Sequence, residues 1–188
     1  MIDPAAIDGV FRRLTRELWI VTAAAGERSG GLLASWVLPA SIDAQQPTLL
    51  VALDPGHFTC ELVRASGSFA AHLLRAEQIE LAWNFACDSG RDRDKFVGQS
   101  ATVGESGAPL LPDCLARLEA RVTREFATPE RVYLWGAVIA GEPFAAEPAL
   151  TDQAFFAAIS PERRTLLGAR RQADIDRSRR LAAESRSG

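Results

Sequence analysis

Residues 31–41 read GLLASWVLPAS, and residues 47–53 read PTLLVAL. Both stretches are apolar runs of strand length bounded by turn-forming residues, which predicts β-strands. The first stretch begins with a glycine and carries small and hydroxyl residues, so a ligand can approach its backbone closely. Ser35 and Ser41 would then offer hydrogen-bond donors. Residue types alone leave a second interpretation open, in which small side chains serve only close packing.

The sequence on either side predicts further strands. Residues 18–24 are typical of a strand buried on both faces, and turn residues at 26–30 predict that residues 31–38 return as its hairpin partner. Residues 114–123 alternate apolar and polar side chains, which predicts a strand with one face in solvent. Residues 131–140 are apolar on both faces, so this strand is either central or covered by a second subunit. Two more strands are predicted at residues 48–53 and 68–74.

Helices are predicted around and between these strands. Asp3 followed by Pro4 is typical of a helix start, and helical spacing of apolar residues extends this helix over residues 4–16. Gly67 is placed to end a helix. The other predicted helices cover residues 59–65, 77–87 and 151–156, with one more from residue 160 onward. The strands are too close together for repeated parallel crossovers. The sequence therefore predicts a mainly β fold with peripheral helices, built as an antiparallel barrel.

Composition narrows the class of protein. The 188 residues are 47% hydrophobic and 24% charged, with a net charge of −3, as in a globular domain without a positive field for nucleic acid. We expect no membrane span and no signal peptide. Three cysteines at 27-residue spacing fit neither a metal motif nor a disulfide framework, so we predict no metal, free thiols and a cytoplasmic location. We divide the chain into a domain at 1–150 and a helical, arginine-rich extension at 151–188, predicted to be a solvated helix face.

Motifs for protein-only catalysis are missing from the sequence. It contains no Gly-x-Ser-x-Gly, no His-Glu-x-x-His, no Walker loop and no Gly-x-Gly-x-x-Gly after a strand. A bound cofactor is the better source of reactivity, and we assign no residue as catalytic.

The order of several short motifs resembles the flavin reductase-like family of FMN-binding split β-barrels. The resemblance covers residues 7–142 and is carried first by residues 31–41 and 47–53. It continues through residues 55–59, 67–74, 93–96, 107–111 and 115–122. No single motif is specific, but their order and spacing agree. The resemblance implies an FMN-binding split β-barrel that works as a homodimer, with the flavin near the subunit boundary.

The resemblance also implies a place for each part of FMN. Hydroxyls and N–H groups near Ser35, Ser41 and Thr59 would bind the phosphate and ribityl chain, and Phe69 to His72 would line the flavin ring, largely through the backbone. The family usually has asparagine where His72 stands, and a buried structural histidine is the alternative. The implied cofactor-binding residues are Leu33, Ala34, Ser35, Trp36, Ala40, Ser41, His57, Phe58, Thr59, Phe69, Ala70, Ala71, His72 and Phe96. For Trp36 and Phe96, simple packing stays open.

Three functions follow from the resemblance. The first is an NAD(P)H-dependent flavin reductase, in which NADH or NADPH passes a hydride to FMN and the reduced flavin serves a partner monooxygenase or another acceptor. The second is an electron-transfer protein that keeps its FMN. The third is a barrel that has lost flavin and acts as a binding module.

Overall fold

The structure, a computed structural model, describes residues 3–143 and 146–187, with side chains described up to residue 184. The strands are β1 Trp19–Ala25, β2 Arg28–Ala34, β3 Val37–Pro39, β4 Thr48–Leu53, β5 Ser68–Leu73, β6 Thr102–Val103, β7 Pro109–Leu110, β8 Ala116–Ala127 and β9 Val132–Pro143. The helices are α1 Pro4–Phe11, α2 Phe58–Ser66, α3 Ile79–Ala86, α4 Asp152–Ala158 and α5 Pro161–Ser187. This arrangement confirms the prediction of a mainly β fold with peripheral helices.

One antiparallel sheet dominates the fold. Its seven strands lie in the order β2-β1-β5-β8-β9-β4-β3, and β6 and β7 form a separate ribbon. The strand β9, apolar on both faces, lies between β8 and β4, so its position is central. Pro47 and Asp54 bound β4 at the residues that the sequence predicts.

The two edge strands of the sheet are neighbours in the chain. Only Ser35 and Trp36 separate the end of β2 from the start of β3. A chain advances at most about 3.6 Å per residue, so the two edges must lie close together and the sheet must curl. The prediction of one continuous strand over residues 31–38 is therefore wrong. The hairpin partner of β1 ends at Ala34, and the next residues cross to the opposite edge.

Apolar clusters fill both faces of this curled sheet. On β1, Val21 packs in a cluster that also contains the α2 side chains, whereas its neighbour Ile20 packs in a second cluster with α3 and α4. Both residues are fully buried, which confirms a strand covered on both faces.

Local signals at the helix ends act as predicted in most places. The Asp3 side chain accepts a hydrogen bond from the Ala5 N–H, and Gly67 ends α2 with a φ of 71°. The Thr151 hydroxyl likewise caps α4. Helix α1 ends at Phe11, short of the predicted residue 16, because the Arg16 backbone is committed to hydrogen bonds with Asp152.

The strand β8 departs from the prediction of one wholly solvent-facing side. Its Glu119 is 5% exposed and accepts hydrogen bonds from the backbone N–H and hydroxyl of Ser106, at 2.8 and 2.7 Å. Burial of a carboxylate requires such partners. No helix among the described residues has both the length and the apolar character needed to cross a bilayer.

Candidate functional site

A cavity opens where the two edges of the sheet meet. Its volume is about 130 Å³. It is lined by Leu32, Leu33, Ala34, Ser35, Trp36, Ala52, Leu53, Asp54, His57 and Arg131. Five of the predicted cofactor-binding residues are therefore brought together here: Leu33, Ala34, Ser35, Trp36 and His57. Ser35 is half-buried, and its hydroxyl has no hydrogen-bond partner within the described chain, so it can donate to a ligand.

A buried acid and an arginine form the polar wall of this cavity. Asp54, only 4% exposed, accepts a hydrogen bond from the Gly56 N–H at 2.7 Å. Arg131 lies 3.6 Å from the same carboxylate, and its guanidinium lies 5.0 Å from the centre of the Trp36 ring. A guanidinium stacked on an indole is held in place by cation–π attraction. This wall presents an oriented cation beside an aromatic face.

The outer side of the same wall is closed by the C-terminal helix. Arg177 of α5 donates to the Asp54 carboxylate and forms an ion pair with Asp174 at 3.0 Å. Asp174 in turn lies 3.8 Å from Nε2 of His57. Burial lowers the pKa of His57, against the opposing effect of Asp54 and Asp174, which favours a neutral imidazole.

Asp54, His57 and Asp174 are also of the residue types that bind metal ions. One ligand atom each from Asp54, His57 and Asp174 lies within 4.8 Å of the others. The guanidinium of Arg177 already bridges both carboxylates, so a protein cation balances the acids. We therefore interpret the cluster as an ion-pair network.

Four other predicted residues do not line the cavity. Ala40 and Ser41 lie beside the start of β4, at the opposite end of that strand from the cavity, and Phe58 and Thr59 follow His57. Ser41 accepts a hydrogen bond from Thr48 N–H at 2.9 Å, and the neighbouring Ala40 N–H donates to the Thr48 carbonyl at 2.7 Å. Both contacts close the loop between β3 and β4. Phe58 and Thr59 begin α2 and are buried. Their backbone N–H groups stand at a helix N-terminus, where an anion is favoured.

The predicted ring-lining segment lies in the centre of the sheet. Phe69, Ala70, Ala71 and His72 belong to β5 and are fully buried. The phenyl ring of Phe69 packs so closely on β9 that a Cβ at Gly136 would lie 2.9 Å from it. The side chains of this segment serve the core, and none of its four residues lines the cavity.

His72 has both ring nitrogens engaged by the backbone. Nδ1 lies 3.1 Å from the Ile20 carbonyl, and Nε2 accepts a hydrogen bond from the Leu111 N–H at 3.1 Å. The proton is therefore on Nδ1, and the ring supplies one donor and one acceptor, as an asparagine amide does. Burial lowers the pKa of His72 to about 4. The structure favours the structural alternative for this side chain.

Packing also accounts for Phe96 and for Gly31, the first residue of the segment 31–41. Phe96 contacts the Phe85 ring edge-on, with centroids 5.6 Å apart. A Cβ at Gly31 would lie 2.7 Å from the same Phe85 ring. Close approach of α3 to β2 therefore explains the glycine, whereas the cavity begins one residue later, at Leu32.

A second, larger concavity of about 460 Å³ lies on β8 and β9. It is lined by Pro47, Ala116, Leu118, Val138, Ile139, Ala140, Gly141, Glu142 and Pro143. None of the predicted cofactor-binding residues is among them. The lining is almost entirely apolar, as at a surface suited to a protein partner.

Sequence reasoning missed Asp54 and Arg131 as residues of the cavity. The sequence marks Asp54 only as the end of a strand and Arg131 only as the start of another. Their pairing across β4 and β9 brings them together. A charged residue at the boundary of each of two apolar strands was the one available signal.

Comparison with known proteins places the chain in a family. The flavin reductase like domain matches residues 11–158, so the chain belongs to the flavin reductase-like family. The high molecular weight rubredoxin of Moorella thermoacetica is 35% identical over 113 residues, which are 59% of this chain and 48% of that protein. The chain thus spans about half of that relative, and about a quarter or less of several matching diflavin flavoproteins.

Solved structures share the fold. The NADH:FAD oxidoreductase SgcE6 of Streptomyces globisporus C-1027 is 25% identical, with a TM-score of 0.71 over 80% of this chain and 91% of that one. It has also been solved in complex with NAD and FAD fragments. BorF, the flavin reductase component of a bacterial two-component tryptophan halogenase, is 22% identical, with a TM-score of 0.69 over 81% of this chain and 95% of that one. These similarities confirm the split β-barrel.

Proposed function

We propose that this chain is an NAD(P)H-dependent flavin reductase that binds FMN in the cavity between β2 and β3. The observation that carries the proposal is the convergence of a partner-free hydroxyl (Ser35), an aromatic face (Trp36) and a fixed cation (Arg131) at that cavity. All three lie within the segment that matches the family. A planar ring that bears an anionic tail needs this combination.

Each of these residues has a stated task in the proposal. Arg131 would pair with the phosphate, because charge-assisted hydrogen bonds to an anion are the strong kind. Ser35 would donate to the ribityl chain or the phosphate, and the N-terminus of α2 would add backbone N–H groups. Trp36 would exclude water from one side of the bound flavin. When bound, the flavin supplies the redox chemistry by accepting a hydride from NADH or NADPH.

Fluorescence titration of FMN into the purified protein tests this proposal. We expect saturable quenching at a stoichiometry of one flavin per chain and weaker binding by Ser35→Ala. Ser29→Ala is the matched control, since Ser29 is an exposed serine of β2, the strand that ends just before Ser35. Quenching that never saturates in folded protein would overturn the flavin site, and equal binding by both variants would remove Ser35 from it.

The identity of the flavin and of the nucleotide is the finer part of the proposal. SgcE6 is named for NADH and FAD, whereas the single arginine of this cavity suits one phosphate group, as in FMN. Parallel titrations with FMN, FAD and riboflavin distinguish these. Steady-state oxidation of NADH and of NADPH, each with and without added flavin, identifies the electron donor.

An electron-transfer protein that retains FMN is the second candidate. The cavity of about 130 Å³ is smaller than the roughly 300–1,000 Å³ of most ligand sites, which favours slow exchange of a bound flavin. Flavin that co-purifies and stays oxidised with both nucleotides would support this carrier. Turnover that saturates with free FMN would support the reductase, which would then deliver reduced flavin to a partner monooxygenase; BorF is named as the flavin reductase component of a two-component halogenase.

We also propose a homodimer that uses the apolar groove on β8 and β9. Ile139 in that groove is 37% exposed, and a second copy would cover it. Light scattering at micromolar concentration tests this, and a monomer would contradict it. Three buried free cysteines support the proposed cytoplasmic location, which cell fractionation tests.

A further inference from the structure

Helix α5 begins at Pro161, beyond the last residue that matches the family. It is attached first to α3, where Arg163 contacts Glu80 at 2.6 Å and lies 4.6 Å from the Trp83 ring centre. It then passes Asp88, which Arg170 contacts at 3.4 Å. The helix thus runs from one side of the barrel toward the cavity.

The helix contacts the barrel again at the cavity wall. Residues 168–173 are exposed, whereas residues 174–178 are half-buried. There Arg177 contacts Asp54, and Asp174 approaches His57. A Cβ at Gly56 would lie 3.3 Å from the Arg177 guanidinium carbon. Asp54 and His57 both line the cavity, so the two contacts hold the wall from outside.

The size of the cavity shows that something must move before a flavin can enter. Its volume of about 130 Å³ falls below the roughly 300 Å³ at the lower end of ordinary ligand sites. The wall formed by Asp54 and His57 is the one held by an element outside the barrel. The Arg163–Glu80, Arg170–Asp88 and Arg177–Asp174 pairs are partly exposed, and such pairs are weak, typically about 0–1 kcal/mol each. The acid of the Arg177–Asp54 pair is buried, but it keeps Arg131 and the Gly56 N–H as partners when Arg177 leaves. The end of the helix can therefore detach without unfolding the barrel.

We propose that Asp174 and Arg177 are positioning residues of the site and that α5 is its gate. We call the contacts of Arg177 with Asp54 and of Asp174 with His57 the clasp. When the clasp is closed, the helix fixes Asp54 and His57 and keeps the cavity narrow. Detachment of residues 174–187 releases this wall and lets the ligand pass in either direction. The identity of that ligand as a flavin rests on the proposed function, whereas the clasp itself does not.

A gate changes rates in both directions. If passage requires an open helix, association and dissociation both scale with the open fraction. Loosening the clasp therefore speeds both steps and leaves the equilibrium constant nearly unchanged. A residue that merely contacted the ligand would change dissociation and affinity together.

Hydrogen exchange of the full-length, ligand-free protein tests the clasp. We expect Arg177→Gln, which loses both carboxylate contacts, to lose protection in residues 174–184 by about tenfold, the effect of about 1.4 kcal/mol on opening. Asp174→Asn, which loses one ion pair, should lose less, about threefold. Arg180→Ala is the matched control, because Arg180 is exposed one turn further along. Arg177→Lys, which keeps the charge, guards against a folding defect in the glutamine variant. Arg177→Lys should keep most of the protection, and protection equal to that of the control in both Arg177→Gln and Asp174→Asn would overturn the clasp.

Stopped-flow mixing with FMN tests the gate. We expect the association and dissociation rates of Arg177→Gln each to rise by about fivefold to tenfold, with less than about a threefold change in Kd. Unchanged rates, or a faster dissociation that weakens Kd in proportion, would overturn the gate. If the wild-type protein binds no flavin, the proposed function fails and the gate fails with it. Hydrogen exchange still decides the clasp in that case, so the two failures are distinguishable.

Discussion

The backbone carbonyl of Trp36 accepts a hydrogen bond from the N–H of Ala52 at 3.0 Å. This bond ties the two-residue link between the sheet edges to β4, which carries Asp54 at its end. The Trp36 ring is thereby held in front of Arg131. Backbone pairing of the closed sheet, and not the loop itself, orients the aromatic and cationic parts of the cavity.

Replacement of Arg131 should weaken FMN binding selectively. Arg131→Gln removes the cation that we assign to the phosphate, and we expect Kd to rise about tenfold or more, since charge-assisted bonds contribute at least about 1.5 kcal/mol. The Kd of riboflavin, which has no phosphate, should change little. Fluorescence quenching measures both ligands. Arg124→Gln is the control, because Arg124 is exposed on the neighbouring strand β8. An equal loss for FMN and riboflavin would place Arg131 away from the phosphate.

Acid should destabilise the protein through His72. Its pKa falls from 6.5 to about 4 on folding, so the unfolded chain binds a proton first as the pH drops. The stability is present in full above pH 6.5 and declines toward pH 4, by up to about 3 kcal/mol. His72→Asn keeps a donor and an acceptor but does not titrate. Urea unfolding at pH 7 and pH 4.5 should show a smaller loss for this variant, and parallel losses would contradict the assignment.

A methyl group at Gly31 should destabilise the fold. The added Cβ would lie 2.7 Å from Phe85 and 3.2 Å from Thr22, and such overpacking costs about 1–3 kcal/mol. Gly9→Ala is the control, because a Cβ there meets nothing within 4 Å and a helical alanine stabilises by up to about 1 kcal/mol. Thermal unfolding should show a lower Tm for Gly31→Ala and no decrease for Gly9→Ala.

The three cysteines should resist labelling in the folded protein. All three are buried, and burial raises the pKa of Cys60 to about 11 and that of Cys114 to about 12. Because the thiolate is the reactive form, Ellman's reagent at pH 8 should react slowly without urea and quickly with it. Rapid reaction of the native protein would show that one thiol is accessible.

Sequence predicted most strand positions, because they depend on local signals. Pro47 and the Asp54-Pro55 pair bound β4 unambiguously, and Gly67 ends α2 through a left-handed conformation open to glycine. The break at Ser35 and Trp36 could not be predicted, because the apolar run continues through it. Curling of the whole sheet imposes that break.

The polar wall of the cavity was beyond prediction for the same reason. Asp54 and Arg177 are 123 residues apart, and nothing in the local sequence of either indicates the other. The solvated face predicted for the arginine-rich extension holds for residues 168–173, which are exposed. It fails at Arg177, where a buried acid supplies the partner.

The closure of the sheet between its edge strands β2 and β3 has a consequence for synthesis of the chain. Within the described residues, the edge strand β3 is hydrogen-bonded into the sheet only through β4, which pairs with β9. The strand β9, Val132–Pro143, leaves the ribosome long after Ser35 and Trp36. A nascent chain that lacks β9 therefore cannot assemble the cavity, however complete its first hairpin is. A ligand held there would bind only the finished barrel, and by mass action it would act as a late quality check on folding.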